Sequence, residues 1–353
     1  MKISLLLNTL ILFSLSFAIS SICIPLIIKI AKKNELFAGR SGDRHIHTGL
    51  IPRLGGVALV IGFIFSQLYL ILITPLNPAD FIEYYFLIFS FLVLFVLGLL
   101  DDIVDIKSHL KFFVQLLVAV ILVWKAEIRI ESFYGVLGIY NLSGIGSYVF
   151  SILVLVFFIN AYNLVDGLDG LSCLIGVYSL ACFLSIFLLN EIYLDSMILI
   201  SVMGSLFGFF MFNKNPAKIF MGDSGTMSIG LLIAYFSVKI SNLPLDLNQT
   251  YNPVFAMVVL SYPVIDTLRV FVNRIILGKS PFVADRNHIH HALYDLEFGH
   301  SKSVFFIILS TLIITLIIYS LRTYHNVSFL IAIILILFVS QIPFIMLKNK
   351  KNK

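Results

Sequence analysis

The stretch YYFLIFSFLVLFVLGLL (84–100), followed at once by DDIVDIK (101–107), decides the fold. Its first part carries no charge and approaches the roughly 20 apolar residues that a helix needs to cross a hydrocarbon core. Its second part places Asp101, Asp102 and Asp105 at the helix end. A carboxylate at the bilayer centre costs about 2.5–3.5 kcal/mol on insertion scales, so acids belong at the ends of spans or in functional sites. The same punctuation returns in NAYNLVDGLDG (160–170) and MGDSG (221–225). Three acidic clusters that end on one side of a membrane can meet around a cation.

Composition supports this reading along the whole chain. The 353 residues are 59% hydrophobic and 12% charged, where soluble domains carry about 25% charge. The expected fold is an all-α, polytopic integral membrane protein. It reads as a single transmembrane catalytic domain over 1–353 with its active-site loops in the cytoplasm. Eleven spans are expected, near 5–28, 54–73, 84–100, 109–124, 148–164, 171–189, 196–212, 226–240, 253–277, 304–321 and 328–347. The first is too long for a signal-peptide core and lacks a small-residue cleavage site after it. The ninth is long enough to tilt or to project beyond the bilayer. Cys23, Cys173 and Cys182 have no metal-ligand spacing and read as small core hydrophobes.

Lys and Arg set the orientation. On the eleven-span reading, Lys2, Lys125, Arg129, Lys239 and Arg322 fall on one side, and the rest of the 24 basic residues fall on the other. The N-terminus is therefore expected outside and the C-terminus in the cytoplasm. The net charge of +5 is a topology signal and not a nucleic-acid footprint. All three acidic clusters fall on the cytoplasmic side. The longest outside loop, 125–147, alternates and is rich in glycine, as a surface hairpin would be.

Each cytoplasmic cluster suggests chemistry. On a helix, Asp101 and Asp105 share a face at i, i+4 and repel unless a cation lies between them. A DDxxD run is suited to Mg2+; a solvated acidic loop is the bland alternative. Asn160, Asn163, Asp166 and Asp169 recur every third residue, which puts them on one drifting helical stripe. Two amides and two acids suit a nucleotide or sugar, although Asn160 could serve only to bond neighbouring helices. In MGDSG, Asp223 stands beside helix-start amides that favour phosphate, or else serves as a simple cap. The loop after the ninth span holds Arg286, His288, His290 and His291. That cluster suits a diphosphate better than zinc, because no cysteine is near and two of its histidines are adjacent. Asp266 and Arg269 in the preceding helix are expected to pair structurally. In the first cytoplasmic loop, His47 and Arg53 can hold a phosphate, or merely mark the inside face. Acids, helix-start amides, Arg and His at one membrane face suit phosphoryl transfer between a lipid phosphate and a nucleotide-activated group.

Five blocks, HTGLIPRLGG (47–56), GLLDDIVDIK (98–107), NAYNLVDGLDGL (160–171), IFMGDSGT (219–226) and GKSPFVADRNHIHH (278–291), occur in an order that resembles a known family. This is the polyprenyl-phosphate N-acetylhexosamine-1-phosphate transferases, in the WecA/TagO-like branch. IPRLGG in place of a TPTMGG-like segment, and HIHH in the histidine loop, separate the chain from the phospho-MurNAc-pentapeptide branch. The resemblance implies transfer of N-acetylglucosamine 1-phosphate from UDP-GlcNAc to undecaprenyl phosphate with release of UMP. It implies Mg2+ as cofactor, with Mn2+ able to substitute, and a bacterial inner (cytoplasmic) membrane, with a homodimer as the expected assembly. The lipid bilayer and the two substrates are the expected partners. Asp101, Asp102, Asp166, Asp169, His288, His290 and His291 become the candidate catalytic residues. Asn160, Asn163, Arg286, His47, Arg53 and Lys107 become candidate substrate ligands, and Asp101, Asp102 and Asp223 candidate metal ligands. Direct attack is favoured because a lipid phosphate is already charged; an Asp-linked intermediate is the alternative. Another UDP-N-acetylhexosamine or UDP-MurNAc-pentapeptide as donor, a lipid diphosphatase and a secondary transporter are the rival readings.

Overall fold

The computed structural model describes residues 2–36, 51–243, 253–278 and 287–351. Among them the chain is helical, without a strand, and ten helices are long and apolar enough to cross a membrane. Many large apolar side chains on their outer faces are exposed, among them Leu72, Phe305 and Phe338. Such faces fit hydrocarbon, where a helix satisfies its own backbone groups.

The segment expected as the ninth span is a bent pair of helices. α9 (Pro253–Val259) and α10 (Ser261–Ile276) meet at 80°. The expected continuous helix over 253–277 is therefore corrected to two pieces. Pro263 has no N–H to offer the Val259 carbonyl, and its ring crowds the turn before it. It is tolerated in the first turn of α10, where an orphan N–H is absent by right.

The chain divides into two compact units. The first is Met1–Glu127 with Asp169–Ile233, and the second is Ile128–Leu168 with Ala234–Lys353. In the first unit, α1 (Lys2–Lys33) packs on α2 (Gly55–Ile73) and on α7 (Tyr193–Asn213), and α7 also packs on α6 (Leu171–Leu189). The α1–α7 seam is built of small residues. Gly204 lies against Phe13 and Ser16, Gly208 against Phe17 and Ser20, and the Ser20 hydroxyl donates to the Ser205 carbonyl at 3.0 Å. Lipid is as apolar as a side chain, so close backbone approach and interhelical hydrogen bonds hold such helices together. α3 (Pro78–Val104) starts where Asn77 accepts from the Asp80 N–H at 2.9 Å, with Pro78 at the first helical position. It packs on α4 (Ser108–Lys125).

In the second unit, α5 (Gly144–Asn163) packs on α10, and α12 (Gly299–Ser320) and α13 (His325–Lys351) pack on α9 and on the short α11 (Ile289–Asp295). Val254, Val258, Ile314, Ile318, Ala332 and Ile336 form its apolar centre. The expected hairpin in the 125–147 loop is present as one isolated antiparallel bridge with flanking hydrogen bonds. Phe133 N–H donates to the Tyr140 carbonyl at 2.8 Å, Leu142 N–H donates to the Glu131 carbonyl at 2.9 Å, and Ser132 bridges to Asn141.

Candidate active site

The first unit gathers three of the predicted blocks. Gly55 N–H donates to the Phe220 carbonyl at 2.9 Å, Gly56 N–H to the Met221 carbonyl at 2.8 Å, and Phe220 N–H to the Pro52 carbonyl at 2.8 Å. PRLGG and FMGD are thus joined by backbone pairing, far apart in sequence. α8 (Gly222–Ser241) begins at this join. Gly222 has φ +71°, and a Cβ there would strike the Arg53 carbonyl and lie 2.6 Å from Asp102 Oδ2. Gly98 brings the end of α3 against the first turn of α8, where a side chain would strike the Asp223 backbone.

That approach sets the acidic pair. Asp102 Oδ1 accepts from the Asp223 N–H at 2.8 Å and Oδ2 from the Ser224 N–H at 3.0 Å. The first amides of α8 therefore hold a carboxylate of the protein, where the sequence suggested a phosphate. An ionised acid is as well suited as phosphate to the positive end of a helix. Asp101 Oδ1 accepts from the Ile106 N–H at 2.8 Å, and its Oδ2 lies 2.9 Å from Lys111 Nζ. Asp223 Oδ2 lies 3.0 Å from the same ammonium. Asp101 and Asp223 thus converge on one cation. Asp105 does not share their face, contrary to the i, i+4 expectation. α3 ends at Val104, and Asp105 turns to φ +56° as its cap. Lys111 was read from sequence only as a topology residue. Its place in the first turn after an acidic run was the available signal.

Asp169 also lies in this unit, buried, with Oδ2 accepting from the Ala217 N–H at 3.0 Å. Beside it, Asn213 accepts from the Gly170 N–H at 3.1 Å and donates to the Ile219 carbonyl at 2.9 Å. Sequence reasoning missed Asn213, which ends a long apolar helix and has no motif around it. Arg53 and Lys107 are exposed.

The second unit holds Asn160, Asn163, Asp166 and the three histidines. The predicted helical stripe is broken. α5 stops at Asn163, and the chain turns through 164–170, so Asp166 and Asp169 leave the helix. Gly170 at φ +77° makes that turn possible. Asn160 donates to the Val156 carbonyl of its own helix at 2.8 Å. Gly167 touches the His290 ring so closely that a Cβ would strike Nε2. The other His290 nitrogen, Nδ1, lies 3.1 Å from the Tyr262 hydroxyl. The NLVDG turn and the histidine block are thus in contact. Burial, with the neighbouring His291 and His288 rings, pushes His290 down to about 3 against the opposing pull of Asp266. His290 is therefore a neutral, buried ring at pH 7. His288 is buried and bonded to Asp266, and His291 is half-buried. Asp266 and Arg269 pair as expected but at 3.9 Å, and the guanidinium stacks on Phe344 at 3.8 Å. His47 and Arg286 lie outside the described residues.

The His290 environment sets a pH dependence. An unfolded histidine titrates near 6.5 and this one near 3. Between those values the unfolded chain binds the extra proton, so this site's contribution to stability falls as pH drops through the window. The expected result is a nitrogen-15 histidine spectrum in which His290 stays neutral at pH 5 while exposed histidines have charged.

An apolar cavity of about 350 Å3 lies in the second unit, walled by Phe133, Phe150, Phe157, Phe158, Met257 and Phe329. Its chemistry suits hydrocarbon.

Comparison with known proteins gives a consistent answer. Residues 84–241 match glycosyl transferase family 4. A Bacillus subtilis protein named probable undecaprenyl-phosphate N-acetylglucosaminyl 1-phosphate transferase is 31% identical over 301 residues, covering 83% of this chain and 80% of its own. A Thermotoga maritima protein named undecaprenyl-phosphate alpha-N-acetylglucosaminyl 1-phosphate transferase is 28% identical, covering 91% of this chain and 94% of its own. A Mycolicibacterium smegmatis decaprenyl-phosphate N-acetylglucosaminephosphotransferase is 31% identical, covering 76% and 71%. With the ordered motifs joined as they are in each unit, and with relatives matched over most of their length, the chain belongs to glycosyl transferase family 4, as a multi-pass membrane enzyme of its polyprenyl-phosphate sugar-1-phosphate transferases.

Proposed function

We propose that this enzyme transfers N-acetylglucosamine 1-phosphate from UDP-GlcNAc to undecaprenyl phosphate and releases UMP. The observation that carries the reading is the convergence of Asp101 and Asp223 on one cation, beside an Asp102 already fixed by the α8 amides. The names of the relatives support the two substrates. We place the reaction at the cytoplasmic face, with the N-terminus outside, on the strength of the Lys and Arg distribution, and in a bacterial inner membrane on the strength of the bacterial relatives.

In the reaction, an oxygen of the lipid phosphate bonds to the phosphorus that bears the sugar. The bond from that phosphorus to the bridging oxygen breaks, and UMP leaves with the electron pair. A phosphate monoester has a second pKa near ~6 and is largely dianionic at pH 7, so no strong base is required. The protein's work is to position groups and to balance charge. Asp101, Asp102 and Asp223 suit Mg2+, because Lys111 already occupies the cationic point between two of them. Bound there, Mg2+ would neutralise diphosphate charge. Asn163 and Asp166, in the turn whose Gly167 lies against His290, would meet the nucleotide sugar.

Purified protein with undecaprenyl phosphate, Mg2+ and radiolabelled UDP-GlcNAc tests the reading. Label is expected in extracted lipid, with UMP as co-product. Silence with active, folded protein rejects this donor, and silence across a panel of UDP-sugars rejects the transferase reading. Lys111→Met gives a second check. Without the ammonium, Asp101 and Asp223 repel. The variant is expected to melt lower than wild type in EDTA and to gain more from added Mg2+, since a ligand stabilises by RT ln(1 + [L]/Kd). Equal Mg2+ shifts in both proteins would place the ion elsewhere.

A further inference from the structure

We propose that Asp266 is a positioning residue for the transfer, fixing the His288 ring so that Nδ1–H is committed to the carboxylate and Nε2 is the nitrogen left, when protonated, to donate to a phosphate oxygen of the nucleotide sugar. The inference rests on the transferase reading and adds to it a residue that lies outside all five sequence blocks.

Three features carry it. Asp266 is 4% exposed on α10, and its two oxygens grip consecutive residues. Oδ2 lies 2.6 Å from His288 Nδ1, and Oδ1 accepts from the Ile289 N–H at 2.7 Å. Side chain and backbone are therefore held together, which fixes both the rotamer and the start of α11. Second, an ionised carboxylate only accepts hydrogen bonds, so the proton of that short contact sits on Nδ1. Nε2 is then an acceptor in the neutral ring and a donor in the charged one. Third, the neighbouring histidine is committed elsewhere. His290 is closed in by the Tyr262 hydroxyl and by Gly167. His288 is thus the oriented ring of the cluster. The arrangement follows the logic of an acid that holds an imidazole in its working tautomer.

A metal is the competing use of the same residues, since Asp266, His288 and His290 offer atoms within 4.8 Å of one another. Tetrahedral zinc with bonds of about 2.0–2.1 Å separates its ligand atoms by roughly 3.3 Å. The 2.6 Å between Asp266 and His288 is a hydrogen-bond distance. Both carboxylate oxygens are satisfied without an ion.

The test compares Asp266→Asn, His288→Ala and the double variant in the labelled-lipid assay, with nitrogen-15 histidine spectra of the membrane-embedded protein. The Asn amide oxygen can still accept from Ile289, but its NH2 cannot accept from His288 Nδ1. The spectrum is expected to show the His288 proton moving to Nε2. The rate constant kcat should fall by about 10²–10⁴ with KM for UDP-GlcNAc nearly unchanged. The double variant should be no slower than His288→Ala alone, because residues that act as a unit are not additive. Losses that multiply in the double variant, or a lower melting temperature with kcat per folded protein intact, would overturn the proposal. So would His288→Ala at the wild-type rate, a test that holds even if Asp266→Asn does not fold. Wild-type protein that transfers no label defeats the transferase reading alone; the tautomer spectrum then still supports or overturns the Asp266–His288 orientation.

Discussion

Asp102→Asn is expected to lower label transfer to undecaprenyl phosphate by about 10²–10³-fold, the cost of removing one preorganised electrostatic group. The substitution replaces one carboxylate oxygen with an NH2 group. One of the Asp223 and Ser224 amides, now 2.8 and 3.0 Å from Asp102, then faces a donor. The negative charge at the start of α8 is lost as well. Asp102 supports Asp223 through its backbone, so the loss extends to the carboxylate that meets Lys111. Folded protein is still expected in the membrane, because the lost cap is worth roughly 0.5–2 kcal/mol. The measurement is kcat per folded protein at saturating substrates and Mg2+. A rate within a factor of a few of wild type would remove Asp102 from the chemistry and leave it as a cap.

Gly222→Ala has the larger expected effect on the protein itself. The residue sits at φ +71°, where an L side chain costs about 1–2 kcal/mol. Its Cβ would also strike the Arg53 carbonyl, and overpacking of that kind costs about 1–3 kcal/mol. Together they predict roughly 3 kcal/mol of destabilisation, together with displacement of Asp102 and of the first turn of α8. Thermal unfolding in detergent reads the first effect and Mg2+-dependent transfer the second. A control at Gly138 separates clash from conformation, because it has φ +76° but no heavy atom within 4 Å of its Cβ position. Gly138→Ala should show the conformational penalty and retain full activity. If Gly222→Ala melts no lower than Gly138→Ala and transfers at the wild-type rate, the packing of PRLGG on the α8 start does not hold the site.

Much of this protein was legible in the chain itself. Ten of the expected spans follow from apolar length, because a lipid core demands about 20 residues per crossing whatever the partners. The family followed from five ordered blocks, and so did Asp101, Asp102 and Asp223 as a group. What failed did so where a local pattern was continued past a helix end. Asp105 and the 160–169 stripe were placed by helical periodicity, but α3 stops at Val104 and α5 at Asn163. Periodicity says nothing about where a turn begins. The ninth span was read as one helix on its apolar length, and Pro263 was the signal in it that marked the break.

Roles within the site belong to tertiary structure. The sequence determined that acids, amides and histidines would stand at helix ends in a membrane, because burying them elsewhere is too costly. Tertiary packing alone decided which were charged partners and which were scaffold. Three histidines within four residues look equivalent in HIHH, yet one is shut between Tyr262 and Gly167 and one is clamped by Asp266. Lys111 and Asp266 read as topology and as a structural pair until the fold set them within 3 Å of Asp101 and His288. The physical reason is range: hydrophobic spans are a local property of a segment, whereas hydrogen bonds and charge pairs act only over contact distances that distant segments must fold to reach.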